Sequence, residues 1–306
     1  MKKVTALVTE IVLNYDLKPW LEKKCNEAGA EVQWHNVTKS TANYCEEFKK
    51  AENVITWQCR MPHTWTQEWG NNVLHIENSL LAQNTGCFVD AKGFFSKSNL
   101  CREKHWENDY SPDLHGFAKR HFGWEAFSGG NPDGPVLVAL QCRNDCNMNF
   151  EFPAAPKGDR VTFTINTVLE HLPKDRPILL RPHPRERHLF KDAPVPPGCQ
   201  WSMDGTLPEL LPTCSALVTV NSTCASEACL LGIPVAVLGT GAFTGSNAVF
   251  ECHNDLSKLS RFFEHKNDLV AQQRYCSAVL GAHFLPYRHG KEVSCPEFDL
   301  WLARLR

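Results

Sequence analysis

The sequence has no long apolar run. Its longest apolar segments, residues 135–140 and 234–238, have the length of a strand, whereas a membrane helix needs roughly 20 consecutive apolar residues. The chain is therefore predicted to have no transmembrane segment. Residues 1–10 combine a charged beginning with only a short apolar run, a pattern that predicts a first strand rather than a signal peptide.

The fourteen cysteines include no Cys-x-x-Cys pair, so a zinc site of the paired-cysteine type is not expected. Cys214, Cys224 and Cys229 lie in apolar or helical patterns, where an unoxidised thiol behaves as a small hydrophobe. A chain of this length also has no need of disulfides to stabilise its core. We therefore expect reduced thiols, a cytoplasmic protein and no bound metal.

The chain has no excess of charge of one sign. Its net charge is -2, and basic and acidic residues are nearly balanced on both sides of residue 130. Neither half is a basic block of the kind that binds nucleic acid. A hydrophobic share of 42% with 22% charged residues is ordinary for globular proteins, and 306 residues predict two domains of similar size.

Short β-rich runs alternate with helical stretches in both halves, which predicts parallel α/β sheets. In the first half we expect a helix at 16–28 and strands at 4–9, 31–35, 53–57 and 73–77. In the second half we expect helices at 160–171 and 223–231 and strands at 136–141, 178–181, 200–202, 216–220 and 235–238.

A dense cluster of turn-forming residues, 128–135, separates the two halves. We place the domain boundary there. The predicted domains are residues 1–130 and 131–260, followed by C-terminal helices in 261–306 that pack back across the first domain.

A predicted strand in the second half ends in Asn221, Ser222 and Thr223, and a predicted helix follows. Hydroxyl groups at a helix start, together with the amides exposed there, suit an anion such as a diphosphate. Glu227, just over one turn into the helix, would then be available for a ribose diol. A capped helix in any α/β domain would give the same pattern.

Two further strand ends carry polar residues. Arg181, His183 and Arg185 alternate with prolines after one strand, at the sheet edge where ligands bind in open α/β folds. The prolines stiffen this turn, which favours an anion site over a solvated basic turn. Gln141 ends another strand, the usual place for a phosphate or sugar loop.

In the first half, Glu77 and Asp90 each lie at or just past a strand end. Either carboxylate could be a general base, although such residues also serve as caps and turn acceptors. The segment Gly239–Gly245 looks like a dinucleotide loop but has the wrong final spacing and no acidic partner about 20 residues further on. We interpret it as a mobile loop near the donor.

Together, Gln141, the turn Arg181–Pro184 and the segment Asn221–Val235 resemble, in this order, the motifs of the capsule-polysaccharide type glycosyltransferases, the group that contains bacterial β-Kdo transferases. In the first half, Glu77-Asn78-Ser79 resembles the Glu-x-Gly segment of that family, with serine in place of glycine. Asp90-x-x-Gly93 resembles its Asp-x-x-Gly.

The resemblance implies a GT-B architecture: α/β, with two Rossmann-like domains that face a central cleft. The second domain would bind a nucleotide-sugar donor, UDP- or CMP-linked, through Gln141, Arg181, His183, Arg185, Ser222, Thr223 and Glu227. The first would bind the acceptor, with Asp90, by preference, or Glu77 as the base. The resemblance further implies inversion at the anomeric carbon, no bound cofactor and no metal ion.

Two acceptors are open. On size alone, because the chain is compact in the manner of phage-encoded enzymes, we slightly prefer hydroxymethylated pyrimidine in phage DNA, in which case the protein works in the host cytoplasm. The alternative is a capsule or lipopolysaccharide glycan. A sugar-nucleotide epimerase shares the fold and needs no acceptor, and a catalytically inert binding module is a further alternative.

Overall fold

A computed structural model describes residues 1–8, 17–36, 49–57, 72–83, 85–156, 158–287 and 294–305. The chain divides into two compact units: unit 1 comprises Met1–Tyr110 and Ala278–Arg306, and unit 2 comprises Ser111–Ser277. Each unit is built on one six-stranded sheet.

The elements are numbered here in chain order within the described residues. The strands are β1 Lys2–Val8, β2 Ala30–Asn36, β3 Asn53–Trp57, β4 Asn72–Asn78, β5 Gly86–Asp90, β6 Val136–Ala139, β7 Ile178–Arg181, β8 Cys199–Trp201, β9 Ala216–Thr219, β10 Val235–Val237, β11 Phe250–Glu251 and β12 Phe284–Pro286. The helices are α1 Leu17–Glu27, α2 Asn99–Arg102, α3 Leu114–Phe122, α4 Cys146–Glu151, α5 Arg160–His171, α6 Leu207–Leu210, α7 Cys224–Leu231, α8 Leu269–Ala278 and α9 Pro296–Leu302.

The sheet of unit 1 has the order β12-β5-β4-β3-β1-β2. Strands β1 to β4 pair in parallel, while β5 is antiparallel to β4 and β12 is antiparallel to β5. Helix α1 buries Leu17, Leu21 and Cys25, which lie on one face because they are spaced four residues apart. This face packs with the buried residues of the sheet in one core.

The C-terminal segment completes unit 1. Phe298 and Trp301 of α9 are fully buried in the same core as the strands. The indole Nε1 of Trp301 donates to the carbonyl of Asn72, at the start of β4, over 3.1 Å. The part of the tail that belongs to unit 1 begins at residue 278, whereas the sequence-based boundary was 261.

The sheet of unit 2 is parallel throughout, with the order β11-β10-β9-β6-β7-β8. Counted from β6, its first strand, this is the 3-2-1-4-5-6 order of the doubly wound dinucleotide-binding fold. The reversal of strand order falls between β6 and β9, so a ligand crevice is expected beyond the carboxyl ends of these two strands.

The boundary between the units lies at residues 110 and 111, about one helix earlier than the sequence indicated. The reason is that the segment 111–130 is bonded into unit 2. Trp124 Nε1 donates to the carbonyl of Pro208, and the amides of Phe127 and Gly129 donate to the last carbonyls of α7. The turn-forming cluster thus connects two parts of one unit.

Two further observations concern the described residues. Its cysteines, as far as their side chains are described, form no disulfide. Its helices are too short or too polar to cross a membrane.

Candidate functional site

The ends of β6 and β9 are joined by side chains at the switch point of unit 2. Gln141 Oε1 accepts a hydrogen bond of 2.9 Å from the amide of Asn221, and Gln141 Nε2 donates to Asn221 Oδ1 over 2.8 Å. Both residues are buried, at 6% and 3% exposure. The predicted Gln141 is therefore brought to the predicted Asn-Ser-Thr turn, where it fixes the position of that turn.

Asn221 also carries an unsatisfied donor. Its Nδ2 is buried and has no hydrogen-bond partner among the described residues. Leaving a buried donor unpaired costs about 1 to 3 kcal/mol, and such groups are rare in native proteins. A polar ligand at this point of the sheet would remove that cost.

Asp145, which was not selected from the sequence, extends the network into the loop after β6. Its Oδ2 accepts from Gln141 Nε2 over 3.0 Å, and its Oδ1 accepts from the amide of Asn147 over 2.9 Å. The second bond caps the start of α4. One carboxylate thus connects the start of α4, two residues further on, to Gln141, four residues back, and through Gln141 to Asn221.

Helix α7 begins directly after this pair. The hydroxyl of Ser222 accepts from the amide of Cys224 over 3.4 Å, whereas Thr223, the N-cap residue, makes no capping bond with its side chain. Both residues are half-buried, and Glu227, one turn on, is 8% exposed. The start of a helix carries a partial positive charge and favours an anion.

The His183 turn presents a neutral imidazole. Nδ1 of His183 accepts from the amide of Arg185 over 3.2 Å, so the proton of the neutral ring is on Nε2. Burial and the neighbouring Arg185 lower the pKa of His183, against the opposing effects of Asp145 and Glu186. His183 is therefore a hydrogen-bond donor through Nε2 at neutral pH.

Arg181 lies differently from the expectation for a phosphate ligand. Its guanidinium donates to the hydroxyl of Ser202 and to the carbonyls of Asp204 and Gly205, at 3.1, 3.0 and 2.6 Å. The side chain is 5% exposed. Arg181 supports the loop after β8, a role set by acceptors more than twenty residues away that the Arg-Pro-His pattern could not show.

Arg185 is the available cation of this turn. It is exposed, and its guanidinium makes no hydrogen bond or ion pair with the residues that the structure describes. The adjacent Glu186 accepts from the amide of Arg143 at 3.1 and 3.2 Å. That carboxylate connects the turn after β7 to the loop after β6, which keeps the turn near Gln141.

The segment Gly239–Gly245 is packed rather than open. Thr240 donates through its amide to the carbonyl of Glu151 and through its hydroxyl to the Glu151 carboxylate. A Cβ at Gly239 would lie 2.6 Å from that same carbonyl, so only glycine permits this approach. Ala242 and Phe243 are each 2% exposed, which is a different arrangement from the loop that we expected near the donor.

In unit 1, Asp90 is fully buried at the end of β5. Oδ1 accepts from the amides of Lys92 and Gly93 at 2.8 and 3.0 Å, and Oδ2 accepts from the amide of Asn99 at 2.8 Å. Burial, and then the carboxylate of Glu297, raise the pKa of Asp90 to about 8, against the opposing effect of the three amides. This carboxylate holds the loop 91–99.

Glu77 lies near the end of the neighbouring strand β4 and is 8% exposed. Its Oε1 accepts from the amide of Asn78 over 2.7 Å. Strands β4 and β5 pair directly, with Glu77 opposite Phe88 and His75 opposite Asp90. The two predicted carboxylates are thus on adjacent antiparallel strands of unit 1.

A segment of unit 2 matches a known protein family. Residues 129–248 match the family model described as "Capsule polysaccharide biosynthesis protein", a segment of less than half the chain that contains every predicted donor residue. No curated protein matches the sequence.

Solved structures match over nearly the whole chain. The β-Kdo 2,7 transferase of KpsC from Thermosulfurimonas dismutans has a TM-score of 0.54 at 15% identity, over 91% of this chain and 90% of that chain. The β-Kdo 2,4 transferase of KpsC from the same organism has a TM-score of 0.55 at 16% identity, over 90% of each chain. The UDP-GlcNAc 2-epimerase of Methanocaldococcus jannaschii is more distant, with a TM-score of 0.38 at 13% identity, over 90% of this chain and 98% of that chain.

The two similarities to KpsC, at these low identities, concern the fold. They confirm the expected class, an α/β protein of the GT-B type with two Rossmann-like units. The central cleft expected with this fold stays a prediction.

Proposed function

We propose that this chain is a glycosyltransferase and that unit 2 binds its nucleotide-sugar donor. The observation that carries the proposal is the buried Gln141–Asn221 pair, with its unsatisfied Asn221 Nδ2, at the switch point of a 3-2-1-4-5-6 sheet. The start of α7 follows immediately. The family match over residues 129–248 and the fold shared with the KpsC transferases support the same proposal.

In this proposal the donor phosphates lie against Ser222 and Thr223 at the start of α7. His183 donates to them through Nε2, and Arg185 supplies positive charge. These groups stabilise the negative charge that develops as the nucleotide leaves. Glu227 binds the ribose diol of the UDP or CMP group, while Gln141 and Arg181 hold the surrounding loops.

The acceptor is activated in unit 1, in our proposal, by Glu77 or Asp90. The carboxylate takes the proton of the acceptor hydroxyl, whose oxygen attacks the anomeric carbon as the bond to the phosphate breaks. One displacement inverts that carbon. A base must reach the hydroxyl, and Glu77 retains some exposure whereas Asp90 has none. This supports Glu77 as the base, a revision of the sequence-based preference for Asp90.

We propose a glycan hydroxyl as the acceptor. The match of unit 2 to a capsule-biosynthesis model supports a glycan, whereas the earlier preference for hydroxymethylated DNA had only chain length behind it. The near balance of basic and acidic residues before residue 130 also disfavours a polyanionic acceptor.

A donor and acceptor panel tests the activity. UDP-, GDP- and CMP-sugars are each incubated with the full chain and with an oligosaccharide, with hydroxymethylated DNA or with no acceptor, and both the released nucleotide and the sugar product are measured. We expect release that depends on the oligosaccharide. Release that depends on DNA would restore the phage interpretation. A new sugar nucleotide formed without acceptor would instead identify an epimerase.

Binding of the nucleotide tests the site separately from turnover. By isothermal titration calorimetry, Ser222→Ala and His183→Gln should each weaken the binding of UDP or CMP by about tenfold, the loss of roughly one charge-assisted hydrogen bond. Ser260→Ala, an exposed serine of the same unit, is the matched control. Equal nucleotide affinity in the parent chain and the three variants would contradict the proposal that the phosphates bind at this turn.

A further inference from the structure

Two imidazoles and a carboxylate meet inside unit 1, apart from every residue proposed to bind the donor. His105 lies in a 3-10 turn, His105–Glu107, and His283 ends a π-helical turn, Val279–His283, while Glu297 is in the first turn of α9. One potential ligand atom from each lies within 4.8 Å of the others. The side chains are 13%, 0% and 3% exposed, in that order.

The ring of His283 is held so that a lone pair points into the cluster. Its Nδ1 lies 2.9 Å from the carbonyl of Val89, and because a carbonyl can only accept, Nδ1 carries the proton and Nε2 does not. Asp90 Oδ2 lies 3.4 Å from the same Nδ1. Ligand histidines of metal sites are oriented in this way, by a carbonyl or a carboxylate on the far ring nitrogen.

The carboxylate of Glu297 is oriented by hydrogen bonds from the loop after β5. Its Oε2 accepts from the amide of Ala91 and from Asn99 Nδ2, both at 2.9 Å. The other oxygen, Oε1, faces Nε2 of His105 at 3.9 Å. One carboxylate oxygen is therefore occupied by two donors, and the other points toward the histidines, as in a monodentate ligand.

The two rings of the cluster are close enough to share one ion. Nε2 of His283 lies 2.9 Å from Nδ1 of His105, which must donate if nothing else lies between them. A bound cation would accept the lone pairs of both rings and the carboxylate charge together.

We propose that His105, His283 and Glu297 form a zinc site in unit 1. Two imidazoles and one carboxylate suit Zn²⁺, whereas Mg²⁺ and Ca²⁺ prefer oxygen ligands throughout. Zinc ligands at about 2.0 to 2.1 Å lie roughly 3.3 Å apart in tetrahedral geometry, so the rings need to separate from 2.9 Å, and the Glu297 oxygen, within 4.8 Å of the ring nitrogens, needs to move closer. The ion would join the segment after β5 to the C-terminal segment. It replaces the sequence-based expectation of no metal.

Zinc binding is measured on the full chain after removal of metal with a chelator. Competition with a chromophoric chelator should give one Zn²⁺ per chain. His105→Gln and Glu297→Gln should each weaken it by at least about tenfold, while His115→Gln, an exposed histidine, should bind as the parent does. If Glu297→Gln does not fold, His105→Gln decides alone. No stoichiometric zinc in the parent chain, or unchanged affinity in His105→Gln, would overturn the proposal.

Cobalt identifies the donor atoms, because the many cysteines of the chain could also bind metal. One equivalent of Co²⁺ should give a visible spectrum without a thiolate-to-cobalt charge-transfer band in the near ultraviolet, and the spectrum should be lost in His105→Gln. The melting temperature should rise with zinc in the parent chain and in His115→Gln, but not in His105→Gln. A strong thiolate band that survives His105→Gln would place the metal on cysteines and refute the site.

Discussion

At the scale of single residues, Asp90 is the clearest case of a side chain whose surroundings differ from those of an ordinary strand-end carboxylate. It accepts three backbone amides from the loop that follows it and is shielded completely from solvent. The sequence placed it correctly at a strand end. It could not show the burial or the contacts with the C-terminal segment, where Glu297 acts on Asp90 by charge and His283 Nδ1 lies 3.4 Å from Asp90 Oδ2.

We expect Asp90→Asn to destabilise the protein by about 1 to 3 kcal/mol, because an amide in that place turns a donor toward buried donors. Urea denaturation followed by tryptophan fluorescence measures the change. Asp109→Asn, an exposed aspartate of the same unit, is the control and should stay within about 0.5 kcal/mol of the parent chain. Equal midpoints for the two variants would mean that Asp90 does not hold the loop.

Glu77→Gln should leave nucleotide affinity intact, since the donor residues are in unit 2, and should lower the transfer rate by about a hundredfold or more, as expected for a lost general base. Glutamine keeps the Oε1 that accepts from the amide of Asn78, so folding should be preserved. Initial rates with saturating donor measure the effect. A folded Asp90→Asn variant that loses the rate while Glu77→Gln keeps it would exchange the two roles.

At the scale of elements, the strands and helices with regular patterns were predictable and the connections between distant elements were not. The predicted strands 53–57 and 178–181 and the predicted helix 160–171 coincide with β3, β7 and α5, because each is an unbroken apolar or amphipathic run. Strand β12 follows a π-helical turn and has only three residues. It pairs with β5, a strand that lies far from it in the sequence, so no local pattern predicts the pairing.

The candidate donor site shows the same limit. Gln141, Ser222 and His183 could be selected because each ends a strand or starts a helix in the sequence. Glu186 could not, since it connects the turn after β7 to the loop after β6, which only the folded sheet brings together. Asp145 bonds within its own loop, where its sequence does not distinguish it from an ordinary helix cap. For the same reason the sequence led us to predict Arg181 as a donor ligand, whereas its guanidinium donates to carbonyls in the loop after β8.

The rate at which the Cys142 thiol reacts can be used to detect nucleotide bound at the loop after β6. It is half-buried and directly follows Gln141, and burial raises the pKa of its thiol, so maleimide should label it slowly. Bound UDP or CMP should slow the labelling further, by about tenfold when the site is nearly saturated, because only the unbound fraction reacts. Mass spectrometry of labelled peptides measures this. Cys101, a half-buried cysteine of unit 1, should label at the same rate with and without nucleotide.

At the scale of the whole molecule, we propose that unit 2 binds the donor and that unit 1 activates the acceptor. The 3-2-1-4-5-6 sheet of unit 2 brings a neutral histidine, an arginine and a helix start to the ends of its strands. The sheet of unit 1 has a different strand order, and the two strands at one edge, β5 and β12, pair antiparallel. The topology of unit 2 and the family match over residues 129–248 support the proposed place of the donor, whereas the place of the acceptor in unit 1 stays a prediction.

Because positive charge is already present beside the donor, transfer should need neither Mg²⁺ nor Mn²⁺. Addition of EDTA immediately before the assay should change the rate by less than about twofold, and zinc-loaded protein serves as the control for the buried site of unit 1. A loss of more than about tenfold that magnesium or manganese restores would mean that a metal ion, and not His183 and Arg185, stabilises the leaving phosphate.

The central claim is that the switch point of unit 2 binds the nucleotide. A crystal structure of the full chain soaked with UDP or CMP tests it most directly. We expect the phosphates within hydrogen-bond distance, about 2.7 to 3.2 Å, of the Ser222–Thr223 turn and of His183 Nε2, with a ligand atom or an ordered water on Asn221 Nδ2. Nucleotide bound only against Gly239–Gly245, with Asn221 Nδ2 still unpaired, would contradict the account.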